Sequence, residues 1–373
     1  MPEPVLICVV GTRPEAIKMA PVVNELRRFS HLAKTLLVST GQHREILHDS
    51  LAAFGLNVDA DLEIMTPGQT LAGVTSKAVT GLDALLERHQ PAMVLAQGDT
   101  TTTFAASLCA FYRQAPFAHI EAGLRTNDIH NPFPEEFNRR VAGLVASLHF
   151  PPTDWAKENL LREGVSSDSI FVTGNTGIDA VLAAAKFGEE WYPSTSERIL
   201  LLTTHRRENW GEPQDRIARS VRGLVDEFSD TRLVVALHPN PNVRQTLASV
   251  LDGHPRIDMI EPPDYLRFVK LMQRSTLIFT DSGGVQEEAP SFGIPVLVLR
   301  DTTERPEGVI AGTARLVGTD ADKITEQGRA LLGSAEAYAA MAHAVSPYGD
   351  GHASERIRYQ VLRSLGMETD VTA

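Results

Sequence analysis

Short apolar runs rich in β-branched residues recur along the chain, at 5–10, 35–40, 93–96 and 117–120, then at 199–203, 233–237, 277–280 and 296–299. Longer stretches of helical spacing separate them. Strands that are apolar on both faces belong inside a sheet covered by helices, and intervening helices make parallel crossovers the natural connection. The pattern predicts an α/β protein. The series runs down near 150–171 and restarts at 199, and the stretch 189–197 between them holds Pro193 and three Ser or Thr residues. That break predicts two doubly wound domains, residues 1–175 and 176–352, facing each other across a cleft. Residues 353–373 are expected to form a helix that packs back on the first domain. Ligands of such sheets bind beyond the carboxyl ends of the strands, so the loops after the apolar runs are where chemistry is expected.

With 373 residues, 43% of them hydrophobic, the chain can bury more core than one domain needs. Its formal net charge of −12 opposes binding to nucleic acid or to an anionic membrane. An anionic small molecule would then need a local cluster of cations. The two cysteines, Cys8 and Cys109, lie in apolar runs and are expected to be buried, inert thiols. No basic region precedes the first apolar stretch, and no run approaches the roughly 20 residues of a membrane-spanning helix. The expectation is a soluble, cytoplasmic protein.

Two loops have the features of an anion site. Gly11-Thr12-Arg13-Pro14-Glu15 follows a buried run and opens a helix: Gly11 permits a tight turn, Pro14 suits a first turn, and Glu15 completes a capping box with Thr12. Arg13 and Lys18 then stand near a positive helix terminus, although a well-capped helix would explain the same residues. Asp281-Ser282-Gly283-Gly284 also joins a strand to a helix. Its glycines let backbone N–H groups approach a diphosphate, Ser282 adds a hydroxyl, and Glu288 is placed to accept from ribose hydroxyls. Helix capping would again explain part of this, but a plain cap has no need of the doubled glycine, which favours the diphosphate reading. Arg305, after the next strand, aims at the same place.

Carboxylates cluster in a second set of loops. Asp99 follows one apolar run and precedes four threonines; Glu121 ends the next run; Glu135 lies in the loop beyond it. Adjacent strands would bring Asp99 and Glu121 together, an arrangement suited to general acid–base work. In the second domain His205 stands beside Arg206 and Arg207 at a strand end, which suits an anionic ligand. There is no Walker A loop, no Gly-x-Gly-x-x-Gly fingerprint, no zinc-like spacing and no Gly-x-Ser-x-Gly elbow. Nucleotide hydrolysis, a nicotinamide site, a metal centre and serine hydrolysis are therefore not expected.

At these residues the chain resembles the non-hydrolysing UDP-N-acetylglucosamine 2-epimerases over nearly its whole length. The matching runs include GTRPEAIKMAP at 11–21, QHRE at 42–45, GDTTTT at 98–103, HIEAGLRT at 119–126, the segments 132–139 and 205–209, and most of 281–320. The resemblance implies the GT-B architecture of two Rossmann-like domains and reversible conversion of UDP-GlcNAc to UDP-ManNAc through 2-acetamidoglucal. No cofactor and no essential metal are implied. Carried over by motif, Asp99, Glu121 and Glu135 are the acid–base carboxylates, with His205 near the diphosphate. Arg13, Lys18, Phe268, Ser282, Gly283, Gly284, Glu288 and Arg305 bind the UDP-sugar. Gln42, Gln69, Glu136, Arg206 and His238 match residues that hold a second UDP-GlcNAc as activator in some bacterial members. A homodimer and a place in cell-surface polysaccharide synthesis are further implications. Pro263 departs from the Gln or Leu found near the uracil.

Three rivals share the same nucleotide site: a hydrolysing epimerase, a GT-B glycosyltransferase, and a UDP-sugar-binding regulator that has lost catalysis. A glycosyltransferase needs no base at C2, and the regulator predicts a missing carboxylate, whereas all three are present.

Overall fold

The computed structural model describes residues 3–41, 44–66, 68–303 and 305–367. Their contacts divide the chain into two units, 1–180 with 348–373, and 181–347.

The first unit runs β1 (Val5–Val10), α1 (Arg13–Arg28), β2 (Lys34–Ser39), α2 (Arg44–Ala52), β3 (Ala60–Asp61), α3 (Leu71–His89), β4 (Met93–Gln97), α4 (Thr101–Tyr112), β5 (Phe117–Ile120), α5 (Glu135–Val145), β6 (Leu148–Phe150), α6 (Asp154–Arg162) and the start of α7 (Thr176–Phe187). Its strands pair in parallel in the order β3-β2-β1-β4-β5-β6. Central strands are buried throughout: Ile7, Val9, Val94 and Ala96 pack against Leu82 and Leu86 of α3 and Ala105 and Cys109 of α4. Each fully buried Leu, Ile or Val stabilises the fold by about 1.5–3 kcal/mol.

The second unit runs β7 (Arg198–Thr203), α8 (Glu212–Glu227), β8 (Thr231–Ala236), α9 (Pro241–Leu251), β9 (Ile257–Ile260), α10 (Tyr265–Arg274), β10 (Ser275–Thr280), α11 (Gly283–Glu288), β11 (Val296–Val298), α12 (Pro306–Ala311), β12 (Ala314–Leu316), α13 (Ala321–Gly333) and α14 (Ala335–Ala342). The strand order is β12-β11-β10-β7-β8-β9, again parallel. Ile217, Val221 and Leu224 put one face of α8 onto this sheet. A Cβ on Gly328 would lie 2.3 Å from Leu224, so the glycine sets how closely α13 approaches α8.

The last helix, α15 (Ala353–Ser364), belongs to the first unit and lies against α1. Arg358 of α15 places its guanidinium 4.1 Å from the Phe29 ring centre and its Nε 3.2 Å from Glu25. Its N-terminus is held from a distance, because buried Asp179 of α7 accepts from the Ser354 N–H at 2.8 Å and the Ser354 hydroxyl at 2.6 Å.

All eight strands expected from the sequence are present. Four others, β3, β6, β9 and β12, were not expected, and they are the two edges of each sheet. An edge strand pairs on one side only and needs no continuous apolar run, so Ala60-Asp61, a His in β6, an Asp in β9 and an Arg in β12 hide the signal. Both cysteines are buried, with burial pushing their thiols up to about 12. Among the described residues no helix is long and apolar enough to cross a membrane.

Candidate active site

Glu15 organises the first loop. Its carboxylate accepts from the Gly11 N–H at 2.9 Å and the Thr12 N–H at 2.8 Å, closing the capping box on α1. It also takes the hydroxyls of Thr100 and, at 3.2 Å, Thr103, so it ties the end of β1 to the end of β4. Burial raises the Glu15 carboxyl above its usual range despite these donors. Gly11 is obligatory for close approach, since a Cβ there would lie 2.0 Å from the Thr102 hydroxyl. Arg13 opens α1 at this point.

The carboxylates stand over the adjacent ends of β4 and β5. Asp99 follows β4 and ion-pairs with Arg139 of α5, while the neighbouring Asn138 donates to the Asp99 carbonyl at 2.9 Å. Glu121 follows β5 with a φ of +62°, a left-handed conformation that costs a side-chain-bearing residue about 1 kcal/mol or more and is held only by its surroundings. Lys18 of α1 binds one Glu121 oxygen and Gln97, the last residue of β4, donates to the other. Lys18, expected at a phosphate, thus pairs here with a carboxylate. A Cβ on Gly98 would lie 3.6 Å from Glu121 Oε2, which places that carboxylate over the residue preceding Asp99. Glu135 begins α5 and is half-buried.

Glu136 is fully buried: Arg140 binds it at 3.0 Å, Arg139 at 3.4 Å, and the Thr126 N–H donates at 3.1 Å. It therefore holds the arginine that holds Asp99. Gln69 accepts from the Thr66 N–H at 3.0 Å just before α3. Gln42 lies outside the described residues.

Beneath this loop layer are two buried histidines, in register on β5 and β6. Burial pushes His119 down to about 3 and His149 down to about 4. The neutral His119 ring donates from Nε2 to the Gly98 carbonyl at 2.7 Å, fixing the residue before Asp99.

In the second unit, fully buried Asp281 is the hub after β10. It accepts from the N–H groups of His205 and Arg206 at 2.9 and 3.0 Å, the Thr204 hydroxyl at 3.0 Å and Asn209 Nδ2 at 3.0 Å. His205 Nδ1 lies 2.9 Å from the same carboxylate, which leaves Nε2 to face outward on a half-exposed ring. Burial alone would raise Asp281, but the His205 ring and the backbone donors outweigh it and hold the carboxyl low. The His238 ring stacks on His205 with centres 6.1 Å apart. Burial, and then the neighbouring His205, lowers His238.

Ser282 caps α11 by position, though its hydroxyl makes no capping bond; its own N–H donates to Thr280 Oγ1 at 3.0 Å. Arg305 lies directly over Gly283, where a Cβ would meet Cζ at 2.7 Å, and its Nε donates to Glu287 at 2.7 Å. Gly284 and half-buried Glu288 follow on the same helix. Phe268 lies on α10, whose N-terminus Asp264 caps by accepting from Arg267 N–H at 2.9 Å; Pro263 sits just before that cap.

The structure thus gathers Asp99, Glu121 and Lys18 around the ends of β1, β4 and β5, and His205, Arg206, His238 and Arg305 with Ser282-Gly283-Gly284 around the ends of β7, β8, β10 and β11. Sequence reasoning assigned no role to Gln97, Asn138, Arg139 or Asp281. Asp281 carried a local signal, an acid at the first position of a glycine loop, and Asn138 and Arg139 lie inside the matching segment 132–139. Among the described residues no three His, Cys, Asp or Glu side chains are grouped to hold a metal ion.

The family model for UDP-N-acetylglucosamine 2-epimerase matches residues 24–362. The chain belongs to this family. It is 49% identical to the UDP-N-acetylglucosamine 2-epimerase of Bacillus subtilis, over 97% of this chain and 96% of that one. Identity to the Escherichia coli K12 epimerase is 46%, over 94% and 96%. Among solved structures, the UDP-GlcNAc 2-epimerase of Neisseria meningitidis bound to UDP-GlcNAc superposes with a TM-score of 0.87 at 45% identity, covering 96% of this chain and 100% of that one. The glycotransferase of kitacinnamycin, 12% identical with a TM-score of 0.66, shares the fold alone. This epimerase family member therefore has the two-domain GT-B fold.

Proposed function

We propose that this chain interconverts UDP-N-acetylglucosamine and UDP-N-acetylmannosamine by eliminating UDP and adding it back. The observation that carries the reading is the pair of carboxylates, Asp99 and Glu121, fixed over adjacent strand ends by separate cationic partners. The C2 proton sits on the acetamido-bearing carbon, next to no carbonyl that could stabilise a carbanion, and is weakly acidic, so C1–O cleavage has to run ahead of proton removal. Departing UDP then needs preorganised cations and backbone dipoles. Arg13, Arg305, His205 and the Ser282-Gly283-Gly284 turn are the groups suited to that task, with Glu288 for the ribose and Phe268 for the base. Asp99, Glu121 and Glu135 move protons at C2. UDP returns to C1 of 2-acetamidoglucal as a proton reaches the opposite face. The elimination and its reversal are redox neutral, so no oxidant enters. Support comes from the epimerase relatives and from the Neisseria neighbour bound to UDP-GlcNAc. A second UDP-GlcNAc as activator and a homodimeric assembly go with this reading.

Incubation with UDP-GlcNAc in D₂O tests it. The expected product is UDP-ManNAc carrying deuterium at C2. Free sugar with UDP as the sole products would instead establish a hydrolysing enzyme, and the absence of reaction would establish a binding protein.

A further inference from the structure

Gln97 has no role in the chemistry described so far, yet its position is unusually constrained. It is the last residue of β4, 3% exposed, and in register with Ile120, the last residue of β5. Its backbone cannot shift independently of the sheet. The Gln97 carbonyl accepts from the Thr103 hydroxyl at 2.8 Å. The next residue, Gly98, donates its N–H to the Ile120 carbonyl at 3.0 Å and accepts from the His119 ring at 2.7 Å. The amide at the end of this locked segment therefore has a defined place.

Glu121 is turned to meet it. Successive side chains on a strand alternate between faces, so regular continuation of β5 would point Glu121 to the face opposite Ile120 and Gln97. The left-handed φ of +62° at Glu121 breaks that alternation and folds the carboxylate back over the end of β4. There Gln97 Nε2 donates to Oε2 and Lys18 Nζ to Oε1. One donor lets a carboxylate swing about its last torsion; donors on both oxygens fix its plane.

We infer that Gln97 is a positioning residue that, with Lys18, sets where the Glu121 carboxylate meets the C2 proton. The inference rests on the epimerase reading. In the step concerned the C2–H bond breaks and its proton passes to a Glu121 oxygen. The electron pair left on C2 becomes the second C1–C2 bond, and the C1–O bond breaks with its pair departing on UDP. The neutral amide adds direction without adding charge.

Gln97→Leu and Gln97→Glu both keep the approximate volume and remove the N–H donor. In either variant that retains wild-type circular dichroism, kcat should fall about tenfold to hundredfold, the scale of a displaced reacting group, while KM for UDP-GlcNAc stays within about threefold. With substrate deuterated at C2, the primary isotope effect should rise as proton transfer becomes rate-limiting. Unchanged kcat and isotope effect in a folded variant would overturn the inference, as would a loss confined to KM. A crystal structure of Gln97→Leu provides an arm independent of turnover: the Glu121 carboxylate should leave its place over Gly98, and an unmoved carboxylate overturns the positioning role. Failure of the wild type to form C2-deuterated product would overturn the epimerase reading, with the crystallographic arm still deciding the clamp.

Discussion

Asp281 and His205 lie 76 residues apart at the ends of adjacent strands, and the Asp281 carboxylate holds the His205 ring through Nδ1 at 2.9 Å. The same carboxylate binds two backbone N–H groups and two side chains, so it fixes the loop and the tautomer together. The outward Nε2 of the ring is the nitrogen left to meet a ligand. Asp281→Asn keeps the shape but loses the charge and sets an NH₂ against donors. The expected cost is about 2–4 kcal/mol of stability and about tenfold to hundredfold in kcat. The carboxyl is held low in the folded state, so its contribution is present above pH 3.8 and is lost as pH falls through the folded value. Urea unfolding of both proteins between pH 3 and 7 checks this; a cost independent of pH would rule out the charge.

His119 and His149 predict sensitivity to acid. Their folded values, about 3 and about 4, lie below the ordinary 6.5, so the unfolded chain binds protons first as pH falls. Stability should therefore decline from pH 6.5 downward and level off near pH 3–4, each histidine contributing up to about 1.4 kcal/mol per pH unit. Melting temperatures at pH 7, 6 and 5 test the slope. A flat profile would show that the rings are not buried and neutral.

Glu15 titrates in the opposite sense. Its folded value is raised by burial, so its contribution is fully present below pH 4.5 and declines as pH rises through the folded value. Glu15→Gln keeps one oxygen for the Gly11 and Thr12 N–H groups but sets an NH₂ where the Thr100 and Thr103 hydroxyls donate, a cost of about 1–3 kcal/mol, and it does not titrate. The stability gap between wild type and variant should narrow as pH rises from 4 to 8. Calorimetry would contradict this if the gap stayed constant.

Two glycines should fail differently. Gly11→Ala drives a Cβ to within 2.0 Å of the Thr102 hydroxyl and 2.7 Å of the Thr40 hydroxyl, in a buried place with short side chains. About 1–3 kcal/mol or more of stability should be lost. Gly283→Ala meets the end of a long side chain, Arg305, which moves instead. Melting should change little while KM for UDP-GlcNAc rises about tenfold, the equivalent of about 1.4 kcal/mol. A reversed pattern, with Gly283→Ala unfolding and Gly11→Ala mild, would place Arg305 elsewhere.

The order of apolar runs alone determined the α/β class, the eight interior strands and the loops that carry chemistry, because an interior parallel strand must be apolar on both faces and its carboxyl end must open into a loop. Edge strands escaped, being paired on one side only. Motif resemblance supplied the family. What the tertiary structure decided is which polar groups meet: Lys18 with Glu121, Asp99 with Arg139, Asp281 with His205, and Gln97 with a carboxylate whose backbone leaves the ordinary strand conformation. Gln97 reads in sequence as the polar end of a strand, and nothing in its neighbours along the chain signals Glu121. Those pairings join residues 24 to 103 positions apart. Strand order and register set them, and a carboxylate's partners depend on distances that periodicity does not encode.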